Sequence, residues 1–292
     1  MMNFNEDFAV FILTHGRADN IKTLKTLERA GYTGKLYIVI DNEDDQEDRY
    51  RELYGDKVKQ FDKYAQSLTT DTPDLSSNRG VIIYARNYCF ELAKDLGIKY
   101  FIELDDDYTA FHFRFIAKNK LGYVDIKNID RVFMAMCEFL ETSGALTVAM
   151  AQGGDFIGGA ESGTFKKGLL RKAMNSFVCS VDRPFKFIGR INEDVNTYTT
   201  LGSRGNLFFT ITNASLVQMQ TQHNKGGMTG TYLDSGTYVK SFYSVIYMPS
   251  CVSIGVIRDH HMRMHHRICW ENCVPCIMSE KYKKSRQKAA GK

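Results

Sequence analysis

Through the first 150 residues, short apolar runs of strand length alternate with segments of helical spacing, and few folds accommodate that alternation. Phe8–Thr14, Leu36–Ile40, Tyr100–Leu104 and Ala145–Ala151 read as buried strands, with Val58–Phe61 as a shorter one. Between them, Asn20–Ala30 carries apolar residues at Ile21, Leu24 and Leu27, with Gly31 as its stop. Gly80–Leu96, closed by Gly97, and Asp125–Thr142 have the same helical period. Strands separated by helices predict an α/β fold, Rossmann-like, with a mostly parallel sheet and helices on both faces.

The second half differs. The pairs Gly153-Gly154, Gly158-Gly159 and Gly226-Gly227 punctuate it as loops. Ser176–Val181, Phe185–Gly189 and Leu207–Thr212 read as strands of more antiparallel character. Asn192–Leu201 and Tyr232–Ile246 read as helices, and the lysine-rich end from Glu280 as a frayed tail. Only four prolines and no low-complexity linker separate 1–150 from 151–292, so the two halves are expected to form one continuous domain. Their charges diverge. Residues 1–149 hold 19 Lys/Arg against 25 Asp/Glu, whereas 150–292 hold 19 against 9. A basic half suits an anionic partner, although solvated surface lysine has the same composition. No apolar run approaches eighteen residues, so no transmembrane helix is expected. The acidic start lacks a signal-peptide core, and seven scattered cysteines make no disulfide framework. Both imply the cytoplasm, and nothing calls for an obligate protein partner.

The run Tyr100-Phe-Ile-Glu-Leu ends in Asp105, Asp106 and Asp107. Ligands of open α/β sheets bind in the crevice at the carboxyl ends of strands. Carboxylates spaced Asp-x-Asp can share one Mg²⁺ or Mn²⁺, which keeps positions for substrate phosphates. The competing reading is an acidic turn whose side chains cap the next segment. Three further places can converge on the same crevice. Thr14-His15-Gly16-Arg17 follows the first strand, Asp41 follows the second, and Arg79 to Asn87, with Arg86, opens the helix before the acidic strand. Arginine and a helix N-terminus both favour phosphate. Arg17 and Arg86 could equally lie on solvated helix faces, and Asp41 could be one more acid of an acidic turn.

Taken in order, the strand ending near Thr14, Asp41, Ala85-Arg-Asn87 and Asp105-Asp-Asp107 resemble the GT-A glycosyltransferases. The resemblance implies that Asp41 contacts a nucleobase. It also implies that Asp105 and Asp107 hold a divalent metal, Mn²⁺ or Mg²⁺, against the diphosphate of a UDP-sugar or similar donor. Asp106 would face the sugar or cap the turn. Ile191-Asn-Glu-Asp-Val-Asn-Thr-Tyr198 falls where that class often carries its catalytic base, implying Asp194 first and Glu193 as the alternate. With Gly226–Thr229, Gly236–Tyr243 and His265–Trp270, the chain resembles the phage-type TET-associated glycosyltransferases over roughly residues 8 to 284. That family implies sugar transfer to hydroxymethylated pyrimidines in DNA, as in bacteriophage DNA hypermodification within the host cytoplasm. The Gly-x-Gly-x-x-Gly and phosphate-loop Gly-Lys-Ser/Thr fingerprints are absent.

His260-His-Met-Arg-Met-His-His266 gathers four of the seven histidines. Three readings stay open. By the resemblance, His265 or His266 is a further metal ligand. With Cys269, Cys273 and Cys276, a structural zinc site is possible. With Arg258, Arg263 and Arg267, the segment is a phosphate-binding strand. Tyr232, Tyr238, Phe242, Tyr243 and Trp270 could stack on an extruded base, but aromatics at helical spacing are more often core. Two other functions remain: a glycosyltransferase for a glycan, lipid or protein acceptor, and a non-catalytic binding module on the same fold. The intact acids at 105, 107, 193 and 194 count against the second.

Overall fold

The structure is a computed structural model that describes residues 2–73, 78–218, 239–258 and 262–275. Along the chain run α1 (Phe4–Asp7), β1 (Phe8–Leu13), α2 (Lys22–Arg29), β2 (Lys35–Asp41), α3 (Glu47–Tyr54), β3 (Val58–Phe61), α4 (Lys63–Leu68) and α5 (Ile83–Asp95). Then come β4 (Tyr100–Asp105), β5 (Tyr108–Ala117), β6 (Lys120–Asp125), α6 (Ile129–Ser143) and β7 (Thr147–Ala151). They are followed by α7 (Gly163–Lys166), β8 (Leu169–Leu170), β9 (Ser176–Ser180), α8 (Glu193–Ser203) and β10 (Phe208–Gln218). A helix over 239–247, here α9, precedes the hairpin β11 (Val252–Arg258) and β12 (Met262–Ile268).

Ten strands form one sheet in the order β3-β2-β1-β4-β9-β7-β10-β5-β6, with β8 beside β10. The β3-β2-β1-β4 half is parallel, as the alternation predicts. Beyond β4 the sheet turns largely antiparallel, because β9 pairs antiparallel with both β4 and β7. All six residues of β1 are buried, since both of its faces are covered. Phe8, Val10 and Ile12 pack with α2 and α6, while Ala9, Phe11 and Leu13 pack with α5 and α8. The apolar face of α6, Ile129, Phe133, Met136 and Leu140, recurs at spacings of three and four. Burying each such side chain is worth up to ~1.5–3 kcal/mol. The Asn128 side chain accepts from Arg131 N at one end of α6, and Gly144 at φ 68° closes the other.

Three expectations are corrected. Residues 108–125 form an unanticipated hairpin, and α6 therefore starts at Ile129 rather than at Asp125. Its turn, Lys118-Asn119, has positive φ at both residues (49° and 59°), a type I′ geometry that local sequence rarely advertises without glycine. Phe185–Gly189 is not a strand. The amide of Asn87 occupies the backbone of Phe187 on both sides, and Gly189 N donates to Asp71 O, so no ladder forms. Gly189 is required there. It sits at φ +78°, and a Cβ would lie 2.4 Å from Asn196 and 2.6 Å from Tyr247. Finally, α5 begins at Ile83, which leaves Arg79 in the loop before it. The expectations at Gly226–Thr229, Tyr232, Gly236, Tyr238, His260, His261, Cys276 and the tail from Glu280 lie outside the described residues.

Candidate active site at the carboxyl ends of the strands

The loop after β1 is tied to its neighbours by buried carboxylates. Asp106 accepts from Thr14 Oγ1 at 2.6 Å and from Arg17 Nη1 at 2.7 Å. Tyr50 OH lies 3.1 Å from Thr14 Oγ1 and accepts from Arg17 N. Asp106 is only 3% exposed, and both of its oxygens are engaged inside the protein. Asp44, buried behind the loop, accepts from Gly16 N and Gln46 N. These bonds fix the loop that carries Thr14 and Arg17.

At the end of β2, Asp41 is 5% exposed. Its Oδ2 accepts from His15 Nδ1 at 2.8 Å and pairs with Lys63 Nζ at 3.1 Å. Burial works against the Asp41 charge, but the His15 hydrogen bond and the Lys63 ammonium hold its carboxyl below the usual range. The same hydrogen bond raises His15, whose ring is 42% exposed. Lys63, at the start of α4, is 4% exposed. Sequence inspection passes over it because nothing local marks a lysine that will be buried. Arg79 pairs with Glu43 from the loop after β2, at 2.5 Å.

Arg86 is the hub. The guanidinium, 2% exposed, donates from Nη2 to Asp105 Oδ1 (3.1 Å), from Nε to Glu193 Oε1 (3.1 Å) and from Nη1 to Glu103 Oε2 (3.5 Å). It also lies 4.7 Å over the Phe177 ring. A cation in the first turn of α5 opposes the helix dipole, so these three carboxylates explain its place. Three acids face one arginine, and burial raises Glu103 and Asp105 despite it. Glu103 is pushed up to about 8 and Asp105 to about 7. Glu103 escaped the sequence reading, yet a signal existed. It lies two residues before Asp105 on β4, which puts both on one face of the strand. Asn87, next to Arg86, spends its amide on Phe187 backbone and Thr70.

Asp107 is raised by burial and by the Asp106 charge. Its Oδ1 is buried and has no hydrogen-bond partner. Through Arg86, the end of β4 meets the start of α8, where Glu193 and Asp194 sit. Asp194 is raised to about 6 by burial, with the Glu193 charge adding to it. Lys240 of α9 pulls against that shift. His265 and His266 stack on β12 with ring centroids 4.2 Å apart. His266 is pushed down to about 4 by burial, with His265 and Lys240 adding to it. Among the described residues, no three His, Cys, Asp or Glu side chains come together as a metal cage. The histidines are thus not gathered with Asp105 and Asp107. Tyr243 is core, 3% exposed, and accepts from Arg190 N. Trp270 is 42% exposed and stacks on Tyr198 of α8.

The family model described as TET-Associated Glycosyltransferase matches residues 8–227, so the chain is a glycosyltransferase. It belongs to the TET-Associated Glycosyltransferase family. No curated protein matches it. Among solved structures it is similar to glucosyl-3-phosphoglycerate synthase from Mycobacterium tuberculosis in complex with Mg²⁺ and uridine-diphosphate. That match has 8% identity over 90% of this chain and 88% of that one, with a TM-score of 0.45. The same enzyme with Mn²⁺ and uridine-diphosphate-glucose matches at 10% identity, 90% and 87% coverage and a TM-score of 0.41. No helix among the described residues is long and apolar enough to cross a membrane.

Proposed function

We propose that this enzyme transfers a sugar from a nucleotide-sugar donor to a hydroxymethylated pyrimidine in DNA, with a divalent cation at the donor diphosphate. The observation that carries the reading is the Arg86 junction, which joins Asp105 of β4 to Glu193 of α8 and so sets a donor end beside an acid pair. The donor half draws on Asp41 for the base, with His15 and Lys63 fixing its orientation. Thr14 and Arg17 would line the same crevice. Arg79, paired with Glu43 in the loop after β2, would add a cation to the donor half, and Asn87 holds the Phe187 backbone next to Arg86.

Asp105 and Asp107 fit a hard cation. Asp107 Oδ1 is a buried oxygen without a partner, and Asp105 belongs to a carboxylate cluster that one arginine under-neutralises. A magnesium or manganese site needs only one or two protein carboxylates when phosphates and water complete it. When bound, the cation would neutralise charge on the departing diphosphate. Asp194 acts as base. Its carboxylate takes the proton of the acceptor hydroxyl as that oxygen bonds to the anomeric carbon. The bond from that carbon to the diphosphate breaks, and its electron pair leaves with the nucleotide. A carboxyl raised to about 6 is ionised yet still basic near neutral pH. The family's description and the basic second half support a DNA acceptor.

The test is incubation of the enzyme with Mn²⁺, hydroxymethylcytosine DNA and a panel of nucleotide-sugars, followed by nucleoside mass spectrometry. The expected product is a nucleoside heavier by one sugar residue. Transfer to a glycan or protein while DNA stays unmodified with every donor would overturn the acceptor assignment.

A further inference from the structure

Between Asp107 and Asp125 the chain carries no acid, and its cations there are Arg114, Lys118 and Lys120, although the first half as a whole is acidic. This stretch is the β5–β6 hairpin, and β6 is the last strand of the sheet. Phe111, Ala214 and Leu216 pack into the core with α2 and α6. Strand alternation therefore turns His112 and Arg114 to the opposite face, the one on which α5 and α8 carry Arg86 and Glu193. Arg114 is built into that face. Its Nε donates to Ser215 Oγ at 3.1 Å, and the buried Ser215 hydroxyl spends its own hydrogen on the His112 carbonyl. The Asn213 amide donates to the Arg114 carbonyl. The guanidinium lies 4.3 Å over the Phe156 ring and 5.1 Å over the Tyr123 ring, and Tyr123 in turn stacks on His112 at 4.2 Å.

Two features separate this cluster from ordinary packing. Arg17, Arg79, Arg86 and Arg183 are each neutralised by an acid, whereas among the described residues no carboxylate pairs with Arg114 and both of its Nη groups are uncommitted. Beside it, His112 is 8% exposed, its Nε2 lies 3.4 Å from Asp125 Oδ1, and its Nδ1 is buried without a partner. Asp125 itself is shared with Lys127. A planar fork held between rings, with its outer nitrogens open, matches the paired oxygens of a phosphodiester. We infer that Arg114, clamped by Phe156, Tyr123 and Ser215, binds a backbone phosphate of the acceptor DNA, with the exposed Lys118 and Lys120 extending the contact to the tip of the hairpin. The inference rests on the DNA-acceptor reading above. Seven residues of extended strand set Arg114 roughly 20–25 Å from Asp107, the axial length of about six or seven nucleotides of one strand. A phosphate contact there positions the acceptor without reading its sequence. An arginine that only fills the space between two rings would affect stability and leave DNA affinity alone.

Fluorescence anisotropy of the full chain with a labelled duplex containing hydroxymethylcytosine, repeated over roughly 50–200 mM salt, distinguishes these outcomes. Arg114→Met keeps a side chain of similar length between the rings and removes the charge. It is expected to weaken binding about tenfold whatever the duplex sequence, the usual scale for a lost hydrogen bond to a charged group. The slope of log affinity against log salt should become shallower by about one, as for one phosphate contact removed. Wild-type affinity and slope in Arg114→Met, with the wild-type enzyme binding DNA, would overturn this inference and leave the DNA-acceptor reading intact. Absence of DNA binding by the wild-type enzyme would overturn both. Should Arg114→Met fail to fold, Arg114→Gln, which keeps a donor for Ser215, decides by the same two readings.

Discussion

Replacing Arg86 with methionine tests the junction on which the site is built. The guanidinium is 2% exposed and faces Glu103 (0% exposed), Asp105 and Glu193. Removing one member of a buried ionic cluster costs ~3–5 kcal/mol, because the partners stay buried without compensation. The stacking over Phe177 adds ~1 kcal/mol. Domain stabilities run to ~5–15 kcal/mol, so Arg86→Met should unfold at much lower urea, with a midpoint reduced by a third or more. The desolvated acid most isolated from water is Glu103. Adding Glu103→Leu to Arg86→Met should therefore restore ~2 kcal/mol, although the same change in the wild type would not stabilise by that amount. Transfer activity should stay lost in the double variant, since nothing then draws Asp105 toward Glu193. Urea titrations followed by circular dichroism, run as a four-member cycle, supply the numbers. An Arg86→Met midpoint within experimental error of the wild type, or a double variant no more stable than the single, would refute the charge-compensation account.

Three further outcomes follow from the same geometry. Asp194→Asn should lower kcat by ~10²–10⁴-fold with donor affinity kept, and full turnover would remove Asp194 as the base. Stability should depend on pH through the His15–Asp41 pair. His15 is raised, so its contribution is complete below about 6.5, the usual histidine value, and disappears as pH climbs through the raised one. Asp41 is lowered, so its contribution is present above about 4 and lost as pH falls through the depressed value. The wild type should accordingly be more stable than His15→Asn near pH 5.5, and the gap should narrow by pH 8.5 in chemical denaturation; a constant gap counts against the pairing. Gly189→Ala should destabilise by ~1–3 kcal/mol or more, because the new methyl meets Asn196 and Tyr247 at a left-handed φ; an unchanged melting temperature would mean the loop gives way freely.

Much of the sheet was legible in the sequence. A strand buried on both faces is mostly apolar, so β1, β2 and β4 announced themselves, as did the carboxylates at the ends of β2 and β4. Helical spacing located α2 and α6, with glycines beyond them, to within a few residues. What stayed hidden depended on contacts between distant residues. The β5–β6 hairpin turns on Lys118-Asn119, whose left-handed conformations are imposed by the ladder on either side. Asn87 prevents a strand at Phe185–Gly189 from 100 residues away.

The site divides in the same way. Sequence by itself determined that acids stand at the ends of β2 and β4 and at the start of α8, because strand and helix periods are local properties. Only the tertiary structure decided how their charges are balanced. Arg86 reaches Glu193 across 107 positions, Lys63 is buried against Asp41, Asp106 turns inward to hold Thr14 and Arg17, and Asp107 and Glu103 each keep a bare oxygen. The field at a carboxylate comes from groups within a few ångströms in space, and chain spacing carries no record of them.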